Sequence, residues 1–370
     1  MKKLISKIKT FLNRYPRLKK VIKKIIPLSL IAKLKSTEKI EHKEENFETF
    51  YIKDIELKFS LEPLKDLRGI GRVAQEQYAF LKKNYLTKKS KVFNKKYKTV
   101  YFHSSIHWCP KDLPKNSVIM IHDVIPMNFP KLFPQANHQW THDFYEIANK
   151  ADHIITISQT SKSDIKKHLH IPAEKISIVN NGVSHLSSIK KVDYDLPKDF
   201  FVYLGSYDPH KNLNIILEAL CEDEAKTFNL VMIGSNEECK PYVKKLGIED
   251  RVHFLGRRSD EEIGYVFSKA IALLFPSLYE GFGLPPMEAA LLDVPSICSD
   301  RPTMSEFLYD HALFADPYKS KEWATQMQKI ATDPSLRQDI AIKAKDRVSK
   351  LTWEKSCQNL VNTLVELHKE

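Results

Sequence analysis

Between residues 55 and 298 the chain alternates short apolar runs with segments whose apolar residues recur every three or four positions. Runs such as 118–122, 229–233 and 270–275 are almost unbroken in apolar residues, the pattern of strands buried on both faces of a parallel sheet. In the first half the spacing predicts strands at 55–61, 91–94, 99–103, 118–122, 153–158 and 175–179, with helices at 72–83, 140–150 and 161–168 between them. In the second half it predicts strands at 200–205, 229–233, 251–255, 270–275 and 295–298, with helices at 213–220, 240–246, 261–268 and 284–292. Helical patterns at 322–332, 336–350 and 353–368 close the chain. Strands alternating with helices predict an α/β fold of parallel units. The alternation restarts at Phe200 after a polar loop, so two domains are expected, at 46–190 and 198–352, with 353–370 as a final helix.

Residues 1–35 follow a different rule. Leu4, Ile5, Ile8, Phe11, Leu12, Tyr15, Leu18, Ile22, Ile25 and Ile26 form a helical stripe with lysines between them, and Pro16 is expected to kink it. This segment holds twelve Lys or Arg and no Asp or Glu, so it carries the chain's whole net charge of +12 and the body is neutral. High overall basicity therefore says nothing about nucleic acid. The longest uncharged stretch, 25–32, is too short to span a bilayer, and no small-residue cleavage site follows it. A basic amphipathic helix seated on anionic lipid is the first reading. Packing on the body or on a second subunit is the other, since Leu4, Phe11, Leu18 and Ile25 also repeat every seven positions. Oligomeric state is left open. The five cysteines are scattered without a C-x2-C pair, which fits a reducing compartment and excludes a disulfide framework. No metal ligand set is expected, and Asp193-Tyr-Asp195 lies in the interdomain loop, where it reads as chance.

The chemistry concentrates in Glu280-Gly-Phe-Gly-Leu-Pro-Pro-Met-Glu288. An apolar strand leads into it, Gly281 and Gly283 allow a sharp turn and close approach to a ligand, and Pro285 and Pro286 suit a helix start. Glu280 is thus expected at the carboxyl end of a strand and Glu288 about a turn into the next helix. That edge is where open α/β sheets bind ligands. Carboxylates there can accept hydrogen bonds from sugar or ribose hydroxyls, while the N–H groups of Phe282, Gly283 and Leu284 face anions. In the second domain's first loop, Gly205-Ser-Tyr-Asp-Pro-His-Lys211 ends on an ammonium able to pair with a departing diphosphate, with Arg257 or Arg258 in a neighbouring loop. In the first domain, Arg68-Gly-Ile-Gly71-Arg72 reads as a glycine-rich turn before a helix, and His122-Asp123 closes an apolar strand.

The segment from Phe275 to Ala290 closely resembles the signature of the family 4 retaining glycosyltransferases. Arg68–Arg72 resembles that family's GIGR element, and His122-Asp-Val-Ile-Pro126 the HDxxP element of its bacterial mannosyl- and rhamnosyltransferases. Ser158, Ser161 and Asp164, then Asn181-Gly182-Val183, resemble two further strings, read here as helix capping and a left-handed turn. Arg301–Phe307 is similar to the loop before the family's PEV, which would make Glu306 a donor-pocket wall.

The resemblance implies a GT-B fold: two Rossmann-like domains facing across a cleft, with the last helix crossing back to the first. It implies His122, Lys211 and Glu280 as catalytic residues. Gly71, Gly205, Ser206, Lys211, Arg257, Glu280, Gly281, Phe282, Gly283, Leu284 and Glu288 would hold the donor. No cofactor or metal is implied, the partners being a nucleotide-diphospho-sugar and a glycan or lipid-linked acceptor. GDP-mannose is the first donor suggested, and the inner face of the cytoplasmic membrane the site of work. Two departures stand out: Ser206 replaces the arginine many members carry after the glycine, and Asp293 replaces a helix-ending glycine. A sugar-nucleotide epimerase or hydrolase of the same fold, and a non-catalytic sugar-nucleotide-binding subunit, are the alternatives.

Overall fold

The apolar runs become two six-stranded sheets. The computed structural model describes residues 46–369 apart from 67–68, 86, 88–95, 135, 137, 187–188 and 190. The basic segment 1–35, the strand expected at 91–94 and Arg68 lie outside the described residues.

The first sheet runs in chain order from β1 (Phe47–Ile52) and β2 (Ile55–Ser60) through β3 (Lys98–His103), β4 (Ser117–Met120) and β5 (His153–Thr156) to β6 (Ile176–Ile178). All neighbours are parallel except β1, which pairs antiparallel with β2 through the turn at Lys53–Asp54. The sequence reading missed β1, an edge strand whose half-polar face lies beside a charged stretch. Helices α1 (Gly69–Asn84), α2 (Ile125–Asn128), α3 (His138–Lys150) and α4 (Gln159–Leu169) connect the strands.

The second sheet has the order β12-β11-β10-β7-β8-β9, with β7 at Phe200–Leu204, β8 at Asn229–Ile233 and β9 at Val252–Gly256. Its other half is β10 (Leu273–Phe275), β11 (Ser296–Ser299) and β12 (Leu313–Ala315), the last a three-residue strand not foreseen. The sheet is all parallel, and its chain order reverses between β7 and β10. Such a switch point opens a crevice at the carboxyl ends of the strands. The helices are α5 (Leu213–Ala219), α6 (Lys240–Leu246), α7 (Asp260–Phe267), α8 (Leu284–Leu291), α9 (Pro302–Leu308), α10 (Ser320–Thr332) and α11 (Pro334–Val348).

Separate apolar cores cover the two faces of the second sheet. A third core crosses between the sheets: it joins Phe50, Leu57 and Phe102 to Phe275, Phe282 and Met304, and takes in Trp353, Leu360 and Leu364 of the last helix, α12 (Trp353–Glu366). The last helix thus buries its apolar stripe with first-sheet residues.

Gly182 is where the crossing fixes the sequence. Its φ is not positive, so the expected left-handed turn does not form. A Cβ there would lie 2.2 Å from Trp353 N, so glycine is required by the close approach of the chain entering α12. Val183 N donates to Leu351 O at 2.8 Å across the same junction. Asp293, by contrast, adopts the left-handed conformation itself (φ +60°), and Lys345 holds its carboxylate at 2.6 Å.

Candidate active site

The loops after β7 and β10 meet at the carboxyl edge of the second sheet, on either side of the switch point. Lys211 Nζ donates to Glu280 Oε1 at 2.7 Å, with both side chains largely buried. Burial raises the Glu280 pKa, but Lys211, and behind it His210, outweigh this and hold the carboxyl below its ordinary value. The backbone is fixed as tightly as the side chain, since Thr303 Oγ1 donates to Glu280 O at 2.5 Å. Gly283 is left-handed (φ +82°) as the residue before α8, and a Cβ there would reach Met304 Cε at 2.2 Å. Gly205 is crowded by Tyr203 Oη, and its carbonyl lies 2.3 Å from where a Cβ on Gly234 would stand. Ser206 Oγ donates to Asp208 at 2.5 Å, and its carbonyl accepts from Tyr203 Oη at 2.7 Å.

Glu288 lies in the second turn of α8, 5% exposed. His185 Nε2 approaches its Oε1 at 3.0 Å, while Trp353 Nε1 lies 3.1 Å from His185 Nδ1. An indole N–H can only donate, so Nδ1 accepts and the proton on Nε2 points at the carboxylate. This relay was invisible in the sequence, because 103 positions and a change of domain separate His185 from Glu288. Phe282 is a core residue, its ring 4.5 Å from that of Phe307, which leaves only its backbone for a ligand. Leu284 opens α8. Arg257 is turned to Ser235 Oγ at 3.1 Å on an exposed surface, and Arg258 lies over the ring of Tyr194.

The first domain meets this edge with buried groups. His122 is 6% exposed, and its Nε2 donates to Ser104 O at 2.9 Å. Burial lowers its pKa to about 4, so near neutral pH the ring is uncharged, with Nδ1 as its acceptor. The backbone of His122 and the side chain of Asp123 abut the loop that carries Glu280: a Cβ on Gly281 would stand 2.9 Å from His122 O and 3.1 Å from Asp123 Cβ. Burial raises the pKa of Asp123, and its carboxylate accepts from Ile125 N at 3.1 Å, a local structural bond. His210, beside Lys211, was also overlooked. Its ring lies 5.4 Å from that of Phe133 across the cleft, and burial lowers its pKa.

Three expectations are corrected. Gly69 and Gly71 sit inside the first turn of α1, not in a loop before it. Gly71 is required because a Cβ would fall 1.8 Å from Asp66 O, and Arg72 bridges to Asp260 of the second domain at 2.5 Å. Glu306 is no pocket wall: its carboxylate accepts from Gln159 N (2.8 Å), Thr160 N (3.0 Å) and Thr160 Oγ1 (2.8 Å) at the start of α4. Finally, His142, Asp143 and Glu146 bring ligand atoms close enough to share an ion, although no metal spacing was read there. Asp143 already accepts from Lys111 at 2.6 Å and Gln139 at 2.7 Å, far along the chain from the cleft loops. The expected cap at Ser158 is present, accepting from Ser161 N at 2.9 Å. A recess of ≈ 500 Å³ lined by Ala270, Asp293, Arg337 and Ile342 lies at the opposite edge of the second sheet and holds none of these groups.

Two facing α/β domains, a switch-point crevice and an ammonium–carboxylate pair at its floor define a glycosyltransferase of the GT-B fold. Comparison with known proteins agrees. "Glycosyltransferase Family 4" matches residues 68–185 and "Glycosyl transferases group 1" residues 187–347, adjoining stretches that together take in both domains. The chain is 29% identical to the O-antigen chain mannosyltransferase RfbU of Salmonella typhimurium over 258 residues, covering 69% of this chain and 70% of that one. Among solved structures, sucrose-phosphate synthase from Thermosynechococcus elongatus superposes with a TM-score of 0.64 at 19% identity, over 73% of each chain. Anabaena HepE in complex with UDP-glucose gives 0.58 at 21% identity, over 68% of this chain and 72% of that one. The chain thus carries a family 4 glycosyltransferase domain followed by a group 1 glycosyltransferase domain. Among the described residues, no helix is long and apolar enough to cross a membrane.

Proposed function

We propose that the enzyme moves a hexose from a nucleotide-diphospho-sugar, GDP-mannose first among donors, to a glycan or lipid-linked glycan of a surface polysaccharide, retaining the anomeric configuration. In this reading Lys211 neutralises the departing diphosphate, a task that a divalent cation performs in other enzymes. Glu280 and the backbone of Phe282 and Gly283 accept and donate to sugar hydroxyls. Glu288, oriented by His185, takes the ribose. His122 offers the Nδ1 lone pair to the transferred sugar from the first domain.

The observation that carries this reading is the buried Lys211–Glu280 pair at the switch point, two opposite charges 2.7 Å apart where the fold binds ligands. Mannose rests on the similarity to RfbU, and a nucleotide-sugar on the UDP-glucose carried by HepE. Residues 1–35 would hold the enzyme to anionic lipid on the inner face of the cytoplasmic membrane, each cation contributing roughly 1 kcal/mol. Flotation with anionic vesicles tests this: a chain lacking 1–35 should stay at the bottom of the gradient, and undiminished flotation would refute the anchor.

A thermal-shift panel of GDP-, UDP- and dTDP-sugars tests the donor. Stabilisation by GDP-mannose above the others supports the reading; a preference for another base overturns that choice. Turnover of donor alone to a free epimer would instead identify an epimerase.

A further inference from the structure

The strand-end loop bearing Glu280 is held by the first domain on both sides of that residue. Tyr279 Oη donates to Asp164 Oδ2 at 2.6 Å, and Ser161 Oγ donates to Gly281 O at 3.4 Å. Both first-domain partners sit on α4, whose first turn is clasped by Glu306 of the second domain. Asp164 is fixed in turn, because Asn128 Nδ2 donates to the same oxygen at 2.8 Å and His168 Nε2 donates to Asn128 Oδ1 at 2.7 Å. The neighbouring Phe129 lies with its ring 5.8 Å from that of Tyr279. On the second-domain side, Thr303 holds the carbonyl of Glu280 and Lys211 its carboxylate.

From this bracketing we propose that Asp164, acting through Tyr279, is a positioning residue for Glu280, so that the donor-side carboxylate is placed only while the two domains are docked. The string containing Ser161 and Asp164 thereby gains a task beyond helix capping. Ser161 is 1% exposed and faces the loop carbonyl, so the cap of α4 and the brace of the donor loop are neighbouring bonds of one turn. The bonds through Asp164 and Ser161 touch residues 279 and 281 and leave the carboxylate of residue 280 free for Lys211. Losing one should therefore misplace Glu280 without removing the phosphate contact. The inference rests on the reading that Glu280 touches the transferred sugar.

The test measures nucleoside-diphosphate release from whichever of GDP-mannose, UDP-glucose and dTDP-glucose the full-length wild type turns over fastest. Tyr279→Phe and Asp164→Ala should each lower kcat about tenfold while the dissociation constant for the matching nucleoside diphosphate stays within about twofold. The double variant should be no worse than Asp164→Ala alone, because both substitutions break the same Tyr279–Asp164 bond. Asp164→Asn keeps an acceptor for Tyr279 and should recover most of the rate. Values of kcat within about twofold of wild type, or losses that multiply in the double variant, overturn the proposal. If Asp164→Ala does not fold, Tyr279→Phe, which removes one oxygen, decides alone. Lys211→Ala run alongside separates the two failures. Full activity there sinks the donor-site reading and this proposal with it, whereas a dead Lys211→Ala beside a normal Tyr279→Phe sinks the brace alone.

Discussion

The two sheets present unlike carboxyl edges to the same cleft. The second sheet ends in charge: an ammonium and a carboxylate locked at 2.7 Å, with Glu280 held ionised by Lys211 against its own burial. The first sheet ends in buried groups: His103 and His122, each with its pKa lowered to about 4 by burial and so uncharged near neutral pH, and Asp123, whose pKa burial raises. The same topology is thus tuned two ways. One edge keeps a permanent charge ready for an anion, and the other supplies shape and fixed lone pairs. This contrast supports the proposal that an anionic donor binds at the second sheet while the first sheet contributes positioning.

Lys211→Ala breaks the comparison hardest. Removing one preorganised donor that faces developing charge costs about 10²–10³ in kcat. His122→Ala, measured in the same nucleoside-diphosphate release assay, should cost less, roughly 10-fold, since a neutral ring gives one hydrogen bond. Equal losses would erase the distinction between the edges. Gly182→Ala should be the most damaging substitution to stability, because its methyl group would strike the backbone at Trp353. A fall in Tm of many degrees is expected, and an unchanged Tm would mean the α12 junction is loose.

Acid tests the neutral edge. His103, His122 and His153 each titrate at about 4 when folded, against 6.5 for an unperturbed ring. Between those values the unfolded chain binds more protons than the folded one, so stability is lost as pH falls from 6.5 towards 4. Tm should decline over that window, and His122→Gln should decline less steeply. Asp293→Gly is the mildest change. Glycine relieves a left-handed φ but removes the Lys345 contact, so a shift in stability within about 1 kcal/mol is expected by denaturant titration.

Much of this asymmetry was legible in the chain. The central strands announce themselves because burial on both faces leaves unbroken apolar runs, as in Val118–Met120 and Leu273–Phe275. Glu280 and Lys211 were readable because strand, turn and helix-start signals converge on them. What escaped was set by distance in sequence. Nothing local marks His185 as the partner of Glu288, Asp164 as that of Tyr279, or Arg72 as that of Asp260, since each contact exists only once the domains have docked. Edge strands escaped for another reason: β1 has half its face in solvent and β12 is three residues long, so neither shows a buried strand's pattern. The glycines were misread in kind. Gly71 and Gly182 are small because a neighbouring chain passes close, which a single sequence cannot distinguish from a need for unusual φ.

Isothermal titration with GDP, UDP and dTDP against wild type, Lys211→Ala and His122→Ala tests the central claim most directly. For the nucleotide that wild type binds, Lys211→Ala should weaken affinity about 10- to 100-fold, the worth of one charge-assisted hydrogen bond, and His122→Ala should leave it unchanged. Affinity that survives in Lys211→Ala and collapses in His122→Ala would place the diphosphate on the other sheet and contradict the account.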